Sequence, residues 1–148
     1  MPLLKGRLPF NDPNWIFELK YDGFRALARI KSGRCQLISR NGNPFASFSD
    51  LANAIAVSLP HVQDAVLDGE IVCLDKRGRP QFRDLLFRRR EPCFFAFDLL
   101  WSAGQDQRLD RLLDRKHELR RLLIGMPALF CLASSFSAGA SFTGKMAP

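Results

Sequence analysis

The chain has 148 residues and a formal net charge of +7, from 22 Lys and Arg against 15 Asp and Glu. This length suits about one domain with a real core, and 47% hydrophobic with 25% charged residues excludes general disorder, collagen and a coiled coil. The positive charge indicates a polyanionic partner: a nucleic acid, a nucleotide or an anionic lipid.

The first half of the chain predicts an antiparallel meander of three strands. Apolar and polar residues alternate with a period of two from Trp15 to Lys20, an apolar-rich segment follows from Phe24 to Ile30, and Gly-containing turn signals separate the segments. In chain order the predictions are strand 15–20, turn Asp22-Gly23, strand 24–30, turn Ser32-Gly33 and strand 34–39.

The second half of the chain predicts alternating helices and strands. Ser49 or Asp50 can begin a helix that Pro60 ends, and the leucines of 109–123 have near-helical spacing. Phe95, Phe97 and Leu99 should share one face of their strand. The predicted elements are helix 49–59, strand 65–74, turn 75–80, short helix 82–87, strand 93–101 and amphipathic helix 109–123. The fold class expected is α+β, with antiparallel sheets and flanking helices.

The end of the chain differs in composition from the rest. Residues 125–148 are rich in Ala, Ser and Gly, carry only Lys145 as a charge, and show neither a helical nor a strand period. We expect a loose tail there. The uncharged run 122–144 is too interrupted by Pro, Ser and Gly for us to expect a membrane span, and the first ten residues show no apolar h-region or cleavage site, so we do not expect secretion. The four cysteines form no CxxC pair, so reduced thiols are expected.

The segment Lys20-Tyr21-Asp22-Gly23-Phe24-Arg25 is the strongest candidate for chemistry. It places a lysine at a strand end, before a tight turn and a second basic residue. A lysine is a nucleophile only when neutral, and a neighbouring cation such as Arg25 lowers its pKa. Arg25 could also bind a phosphate through paired hydrogen bonds. A solvated surface lysine is the alternative that a single Lys would favour.

Three further segments carry candidate ligands, each with a simpler alternative. Arg40, in Ser39-Arg40-Asn41-Gly42, ends a strand beside a Gly turn, where a solvated Arg is the alternative. Asp68 and Glu70 share one face of a strand, which suits Mg²⁺ or a ribose hydroxyl but also an exposed strand face. Phe97 could stack on a base, or belong to the core.

Together these segments resemble the nucleotidyltransferase domain of ATP-dependent DNA ligases, and most of all the bacterial end-joining type. ELKYDGFRAL is similar to motif I, SRNG to the ribose-contacting segment, LDGEIV to motif III and FAFDLLW to motif IIIa. LDRLLDRKHELRRLL resembles the helix that follows in these ligases. The mRNA capping enzymes and RNA ligases share K-x-D-G, but FDLLW and its following helix favour DNA ligases.

The resemblance implies a covalent mechanism that begins at one lysine. Lys20 would attack the α-phosphate of ATP and become lysyl-AMP, while Glu18 and Leu19 lie near the adenine edge. The AMP would then pass to a 5′-phosphate at a nick, and the 3′-hydroxyl would seal the strand. Nicked or broken double-stranded DNA is the implied partner, alongside end-joining or repair proteins, in the cytoplasm at the nucleoid.

The resemblance also implies roles for residues beyond motif I. Arg25 and Arg40 would contact the ribose and phosphates of ATP, and Phe97 would stack on the adenine. Glu70 would contact the ribose or the catalytic Mg²⁺. Asp22, Gly23 and Asp68 would support these motifs.

The pattern of the family continues with motifs IV and V, which have no counterpart after Leu123. The expected organisation is therefore a partial adenylation domain over 1–124, incomplete at its C-terminal side, and an atypical tail over 125–148 that a frameshift could explain. An inactive fragment that keeps DNA or nucleotide binding stays open as an alternative, as does a relative of the capping-type RNA guanylyltransferases.

Two basic stretches have different expectations. The stretch 76–90 holds seven Lys and Arg, and Arg88, Arg89 and Arg90 could follow a DNA backbone. The stretch 108–121 mixes six basic with three acidic residues, so ion pairs along a helix face are expected there.

Overall fold

The computed structural model describes residues 16–18 and 20–124, and the backbone of 130–132 and 135–137. The chain divides into two compact units, one of Met1–Lys20 with Ser134–Pro148 and one of Tyr21–Ala133. Leu19, and most of the expected tail over 125–148, lie outside the described residues.

The described residues of the first unit include a two-stranded antiparallel ladder. Strand β1, Ile16–Glu18, pairs with β8, Ser135–Ser137, so that Ile16 faces Ser137 and Glu18 faces Ser135. The centre of the predicted strand 15–20 is therefore confirmed.

The second unit is built on one sheet in the order β3-β2-β4-β5-β6, whose neighbours all pair antiparallel, with β7 parallel to β5 at the side. The α+β prediction is confirmed. The strands are β2 (Phe24–Lys31), β3 (Arg34–Ser39), β4 (Asp64–Val72), β5 (Cys93–Ser102), β6 (Gln105–Asp106) and β7 (Phe130–Leu132).

In the described part of the chain, three α-helices accompany the sheet: α1 (Ser49–Ser58), α2 (Phe82–Leu86) and α3 (Leu112–Leu122). Helix α3 begins later than the leucine spacing predicts, because Arg111 has extended backbone angles. Leu109 lies before the helix and is 95% exposed, and Leu113 is also exposed. Lys116 and Leu119 supply the buried face of α3, and Leu123 continues it.

Among the residues that the structure describes, the hydrophobic core lies against one face of the sheet. Ala26, Ala28 and Ile30 of β2 pack in one buried cluster with apolar residues of α1 and α3. Successive strand residues alternate faces, so Arg25 and Arg29 project from the opposite face and are exposed. We call this opposite side the open face. The helices and the core pack against one face of the strands, and the open face carries charged side chains such as Arg25 and Arg29.

Two irregularities interrupt the pairing of β4 with β5. The register passes from Gly69 opposite Ala96 to Asp68 opposite Asp98, which leaves Phe97 as an extra residue in β5. A second shift follows between Val66 and Leu67. The prediction that Leu99 shares a face with Phe95 and Phe97 is therefore wrong, because the extra residue places Leu99 in the core.

Three cysteines in the described part of the chain are free thiols, as expected: Cys35, Cys73 and Cys93. Burial raises the pKa of Cys35 to about 12. Among the described residues, no helix is long and apolar enough to cross a membrane.

Candidate active site

The turn of motif I is anchored to the sheet by two contacts within the second unit. The ring of Tyr21 lies on that of Phe95, with centroids 4.1 Å apart and planes 34° apart. The Gly23 amide donates a hydrogen bond to Glu70 Oε1 at 3.1 Å. A Cβ at Gly23 would lie 2.1 Å from the Ile71 carbonyl oxygen, so the turn approaches β4 too closely for any other residue. The Asp22-Gly23 signal therefore marks both a turn and a close backbone approach.

Arg25 lies at the centre of the open face. It faces Glu70 across the β2–β4 ladder. Its Nε and NH2 groups donate to both carboxylate oxygens of Asp68, at 2.9 and 2.6 Å. The hydrogen bond to Asp68 raises the pKa of the guanidinium further, so Arg25 stays charged. The guanidinium carbon also lies 4.8 Å from the centroid of the Phe97 ring, a cation–π distance.

Side chains of helix α3 hydrogen-bond to Phe97 and to the next residue of β5. Lys116 Nζ donates to the Phe97 carbonyl oxygen at 2.6 Å. Arg115 donates hydrogen bonds to both carboxylate oxygens of the next residue, Asp98, from its Nε and NH2 groups at 2.8 and 2.9 Å. Arg115 NH1 donates to the Asp110 carbonyl oxygen at 2.7 Å. Hydrogen bonds from α3 thus hold the part of β5 that carries Phe97.

The structure brings four of the predicted site residues together on the open face: Arg25, Asp68, Glu70 and Phe97. Arg40 is exposed just beyond β3, whose last residue, Ser39, pairs with Ala26 beside Arg25. Glu18 and Lys20 belong to the first unit, where both are exposed.

Two carboxylates, Asp68 and Glu70, share the open face, as their spacing predicts. Among the described residues no group of three His, Cys, Asp or Glu side chains could hold a metal ion by itself. Mg²⁺ is commonly bound through one or two carboxylates together with substrate phosphates. The pair fits that mode: Asp68 binds Arg25 on both oxygens, and Glu70 Oε1 accepts the Gly23 amide.

The predicted DNA-binding arginines follow α2, and two of them contact nearby residues of α2 or of the segment after it. Arg90 forms an ion pair with Asp84, and Arg89 lies 5.2 Å from the centroid of the Phe87 ring. Arg88 has a positive φ of 52°. In the second basic stretch, Arg121 pairs with Glu118 along α3, while Arg115 bridges to the sheet. Ion pairs do occur there, but the one between Arg115 and Asp98 joins the helix to the sheet instead of running along the helix face.

The anchored turn, the paired carboxylates and the supported aromatic follow one another in chain order across three adjacent strands. A family model of the ATP-dependent DNA ligase domain matches residues 8–138. The chain belongs to this family.

Named relatives and solved structures agree with this family membership. The bifunctional non-homologous end joining protein LigD of Bacillus subtilis is 36% identical over 140 residues, which cover 82% of this chain and 23% of that protein. The multifunctional non-homologous end joining protein LigD of Pseudomonas aeruginosa is 34% identical over 125 residues, or 75% of this chain and 14% of that protein.

The ligase domain of M. tuberculosis LigD superposes with a TM-score of 0.74 at 32% identity, covering 85% of this chain and 41% of that one. A mycobacterial DNA ligase D complexed with ATP and MES gives a TM-score of 0.72 at 30% identity, covering 84% of this chain and 41% of that one. The chain therefore spans less than half the length of each of these four relatives.

Sequence reasoning missed the residues that support the site. It assigns Tyr21 no role within motif I, and it treats Arg115 and Lys116 only as part of a basic helix. One signal was present for Lys116. Lys116 precedes Leu119 by three residues and Leu123 by seven, so this spacing places a lysine on the apolar face of a helix. Lys116 is indeed only 7% exposed.

Proposed function

We propose that this chain catalyses the nucleotidyl transfer of an ATP-dependent DNA ligase, in which ATP charges Lys20 and the AMP passes to DNA. The observation that carries the proposal is the open face, where Arg25, Asp68, Glu70 and Phe97 meet. These groups provide a cation for phosphates, carboxylates for a metal or a ribose, and an aromatic ring for a base.

Lys20 is the proposed nucleophile. Its neutral Nζ attacks the α-phosphorus of ATP, forms a P–N bond and expels pyrophosphate as the P–O bond to the β-phosphate breaks. The amine loses its proton to the surroundings in the same half-reaction. In the second step the 5′-phosphate of a nick takes the AMP from Lys20. The 3′-hydroxyl then attacks that phosphate, releases AMP and joins the strands.

The base and phosphates are the proposed ligands of Phe97 and Arg25. Arg25 already covers one face of the Phe97 ring. An adenine therefore stacks on the remaining face, or displaces the guanidinium while Asp68 still holds it. A charged, oriented guanidinium suits an anionic phosphate, because its donors are fixed in a planar fork. Arg40, Glu18 and Leu19 stay proposed ATP-contacting residues by family resemblance.

Glu70 has a double role in this proposal. One oxygen accepts the Gly23 amide and so ties the motif I turn to β4. The carboxylate would also hold Mg²⁺ together with the ATP phosphates. The metal would offset phosphate charge and favour departure of pyrophosphate. Asp22, Gly23 and Asp68 act by shaping the turn and orienting Arg25.

The wider biological setting is proposed from the relatives. The named relatives are end-joining proteins, so broken or nicked double-stranded DNA is the proposed substrate, with repair proteins as partners. Residues 1–124 are the proposed adenylation portion and 125–148 the atypical extension. Arg88, Arg89 and Arg90 remain proposed DNA contacts. Their net charge, only partly offset by Asp84, suits non-specific phosphate binding.

Covalent labelling tests the first half-reaction. The purified chain is incubated with α-labelled ATP and Mg²⁺, denatured, and examined for protein-bound label. The matched variants are Lys20→Ala and Lys31→Ala, the second removing an exposed lysine at the far end of β2. We expect label on the parent chain and on Lys31→Ala, and none on Lys20→Ala.

Other outcomes separate the alternatives. Label on Lys20→Ala would refute the assigned nucleophile. Label from GTP in preference to ATP would favour the capping-type relatives. A folded chain that binds ATP without becoming labelled would be a nucleotide-binding fragment and would refute the enzymatic proposal.

A further inference from the structure

The aromatic residue of the open face is the extra residue of a β-bulge. Gly69 faces Ala96 and Asp68 faces Asp98, so Phe97 has no opposite residue on β4. A bulge bends its strand, removes one residue from the ladder and turns its side chain to a new direction. The direction of the Phe97 ring therefore depends on whatever fixes the bulge.

A buried ammonium group fixes the first side of this bulge. Lys116 is 7% exposed, and its Nζ donates to the Phe97 carbonyl oxygen at 2.6 Å. A buried charge is costly unless hydrogen bonds satisfy it. A backbone carbonyl that is shielded from water needs a donor for the same reason. The hydrogen bond between Lys116 Nζ and the Phe97 carbonyl oxygen thus meets part of the need of both groups.

A second two-point contact fixes the residue after the bulge. Arg115 binds both carboxylate oxygens of Asp98, and their side chains are only 14% and 18% exposed. Asp98 Oδ1 also accepts the Leu99 amide at 2.9 Å. Two consecutive residues of α3 therefore hold two consecutive residues of β5, one through its backbone and one through its side chain.

We propose that Arg115 and Lys116 are positioning residues, which hold the β5 bulge so that Phe97 presents its ring to the open face. Because the ring is the proposed platform for the adenine, this inference rests on the proposed function for its consequence, although not for its geometry. The two residues act on nucleotide affinity through Phe97 and touch neither the base nor the phosphates.

The central variant is Lys116→Met, which keeps a long unbranched side chain and removes the ammonium group. Arg115→Lys keeps the charge and loses the paired contact with Asp98. Arg121→Met is the matched control, since Arg121 is an exposed α3 residue that pairs with Glu118. Arg115→Lys gives the same test if Lys116→Met does not fold.

The first readout is the environment of the ring itself. With 4-fluorophenylalanine at position 97, the ¹⁹F NMR signal reports the ring environment, including the nearby Arg25 guanidinium. We expect the signal to move or broaden in Lys116→Met and Arg115→Lys, and to stay unchanged in Arg121→Met. An unchanged signal in folded Lys116→Met overturns the proposal.

The second readout separates the base from the phosphates. Stacking of one base on an aromatic ring is worth roughly 5- to 150-fold in affinity. We expect Lys116→Met to lower ATP affinity by about 3- to 10-fold while inorganic tripolyphosphate affinity changes less than about twofold. In a Phe97→Leu background the same substitution should have less than about a twofold effect on ATP, because it acts through Phe97.

The remaining outcomes also decide. Equal losses for ATP and tripolyphosphate, or a loss that adds fully to that of Phe97→Leu, would show a general structural effect and overturn the positioning role. An unchanged ATP affinity beside a moved ¹⁹F signal would overturn it as well. If the parent chain binds no ATP, the proposed function fails, and the ¹⁹F comparison alone decides whether α3 positions Phe97.

Discussion

Replacement of Gly69 by alanine tests whether β4 and β5 have room for a single methyl group. A Cβ at Gly69 would lie 2.3 Å from the Phe95 carbonyl oxygen and 2.4 Å from Phe94 Cζ. Ordinary carbon contacts begin about 1 Å further away, near 3.5 Å. The carbonyl belongs to the neighbouring strand, and the Phe94 ring is fully buried in the core. Neither neighbour can move without disturbing the packing around it.

The expected cost follows from this lack of space. Overpacking a close-packed core costs roughly 1 to 3 kcal/mol, and we expect the upper end because one obstructing atom is backbone. For a chain of this size that corresponds to a fall in Tm of very roughly 6 to 12 °C. Gly69 lies between Asp68 and Glu70, so the shift of β4 should also move both carboxylates of the open face.

Urea unfolding followed by circular dichroism measures this cost. Gly33→Ala is the matched control, because Gly33 has a φ of +73° and a methyl group added there would meet nothing within 4 Å. That control carries only backbone strain of about 1 to 2 kcal/mol. Replacing the Phe94 ring with a smaller side chain, in the double variant Gly69→Ala/Phe94→Leu, should restore part of the lost free energy of unfolding. A free energy of unfolding within about 0.5 kcal/mol of the parent for Gly69→Ala would refute the reasoning.

Three further predictions concern charge and protonation. Asp68→Asn should weaken ATP binding several-fold by releasing Arg25, yet cost at most about 1 kcal/mol of stability because Arg25 is 59% exposed; unchanged affinity in an ATP titration would contradict this. Since the pKa of Cys35 rises to about 12, only the unfolded chain ionises this thiol between about pH 9 and 12. Stability should therefore fall with rising pH over that window, less so in Cys35→Ala, and iodoacetamide should label folded Cys35 far more slowly than the urea-unfolded thiol. The hydrogen bond from Arg108 lowers the pKa of Asp106 to about 2. The stabilising contribution of ionised Asp106 is therefore present above about pH 4 and is lost as the pH falls towards 2. A ¹³C NMR titration midpoint of Asp106 near 4 would disprove the contact.

Local patterns were sufficient for four strands of the sheet, β2 to β5, whereas β6 and β7 were not predicted. Segments separated by turn signals identified β2 and β3, and the Ser32-Gly33 turn predicted their hairpin, in which Lys31 faces Arg34. The short helix α2 was also predicted, and the structure confirms it. Periodicity failed at Leu99 and Leu109. A bulge changes the alternation in β5, and the N-terminal leucines of the predicted helix find no core to pack against.

The candidate site divides in the same way. The spacing of Asp68 and Glu70 placed both carboxylates on one face, because alternation along a strand is a local property. The partnership of Arg25 with Asp68 could not be predicted from spacing, since the two residues are 43 positions apart and meet only through strand pairing. The same holds for the stacking of Tyr21 on Phe95.

The amino-acid sequence by itself determined the family, the order of the motifs and the alternation that puts charged residues on one side of the sheet. These properties depend on residue type and near neighbours. Only the tertiary structure decided that Phe97 is a bulge residue held by Lys116, that Asp98 is held by Arg115, and that Gly23 and Gly69 have no room for a side chain. The physical reason is that each of these features is set by a neighbour distant in sequence, whose approach depends on the register of strands and the docking of a helix.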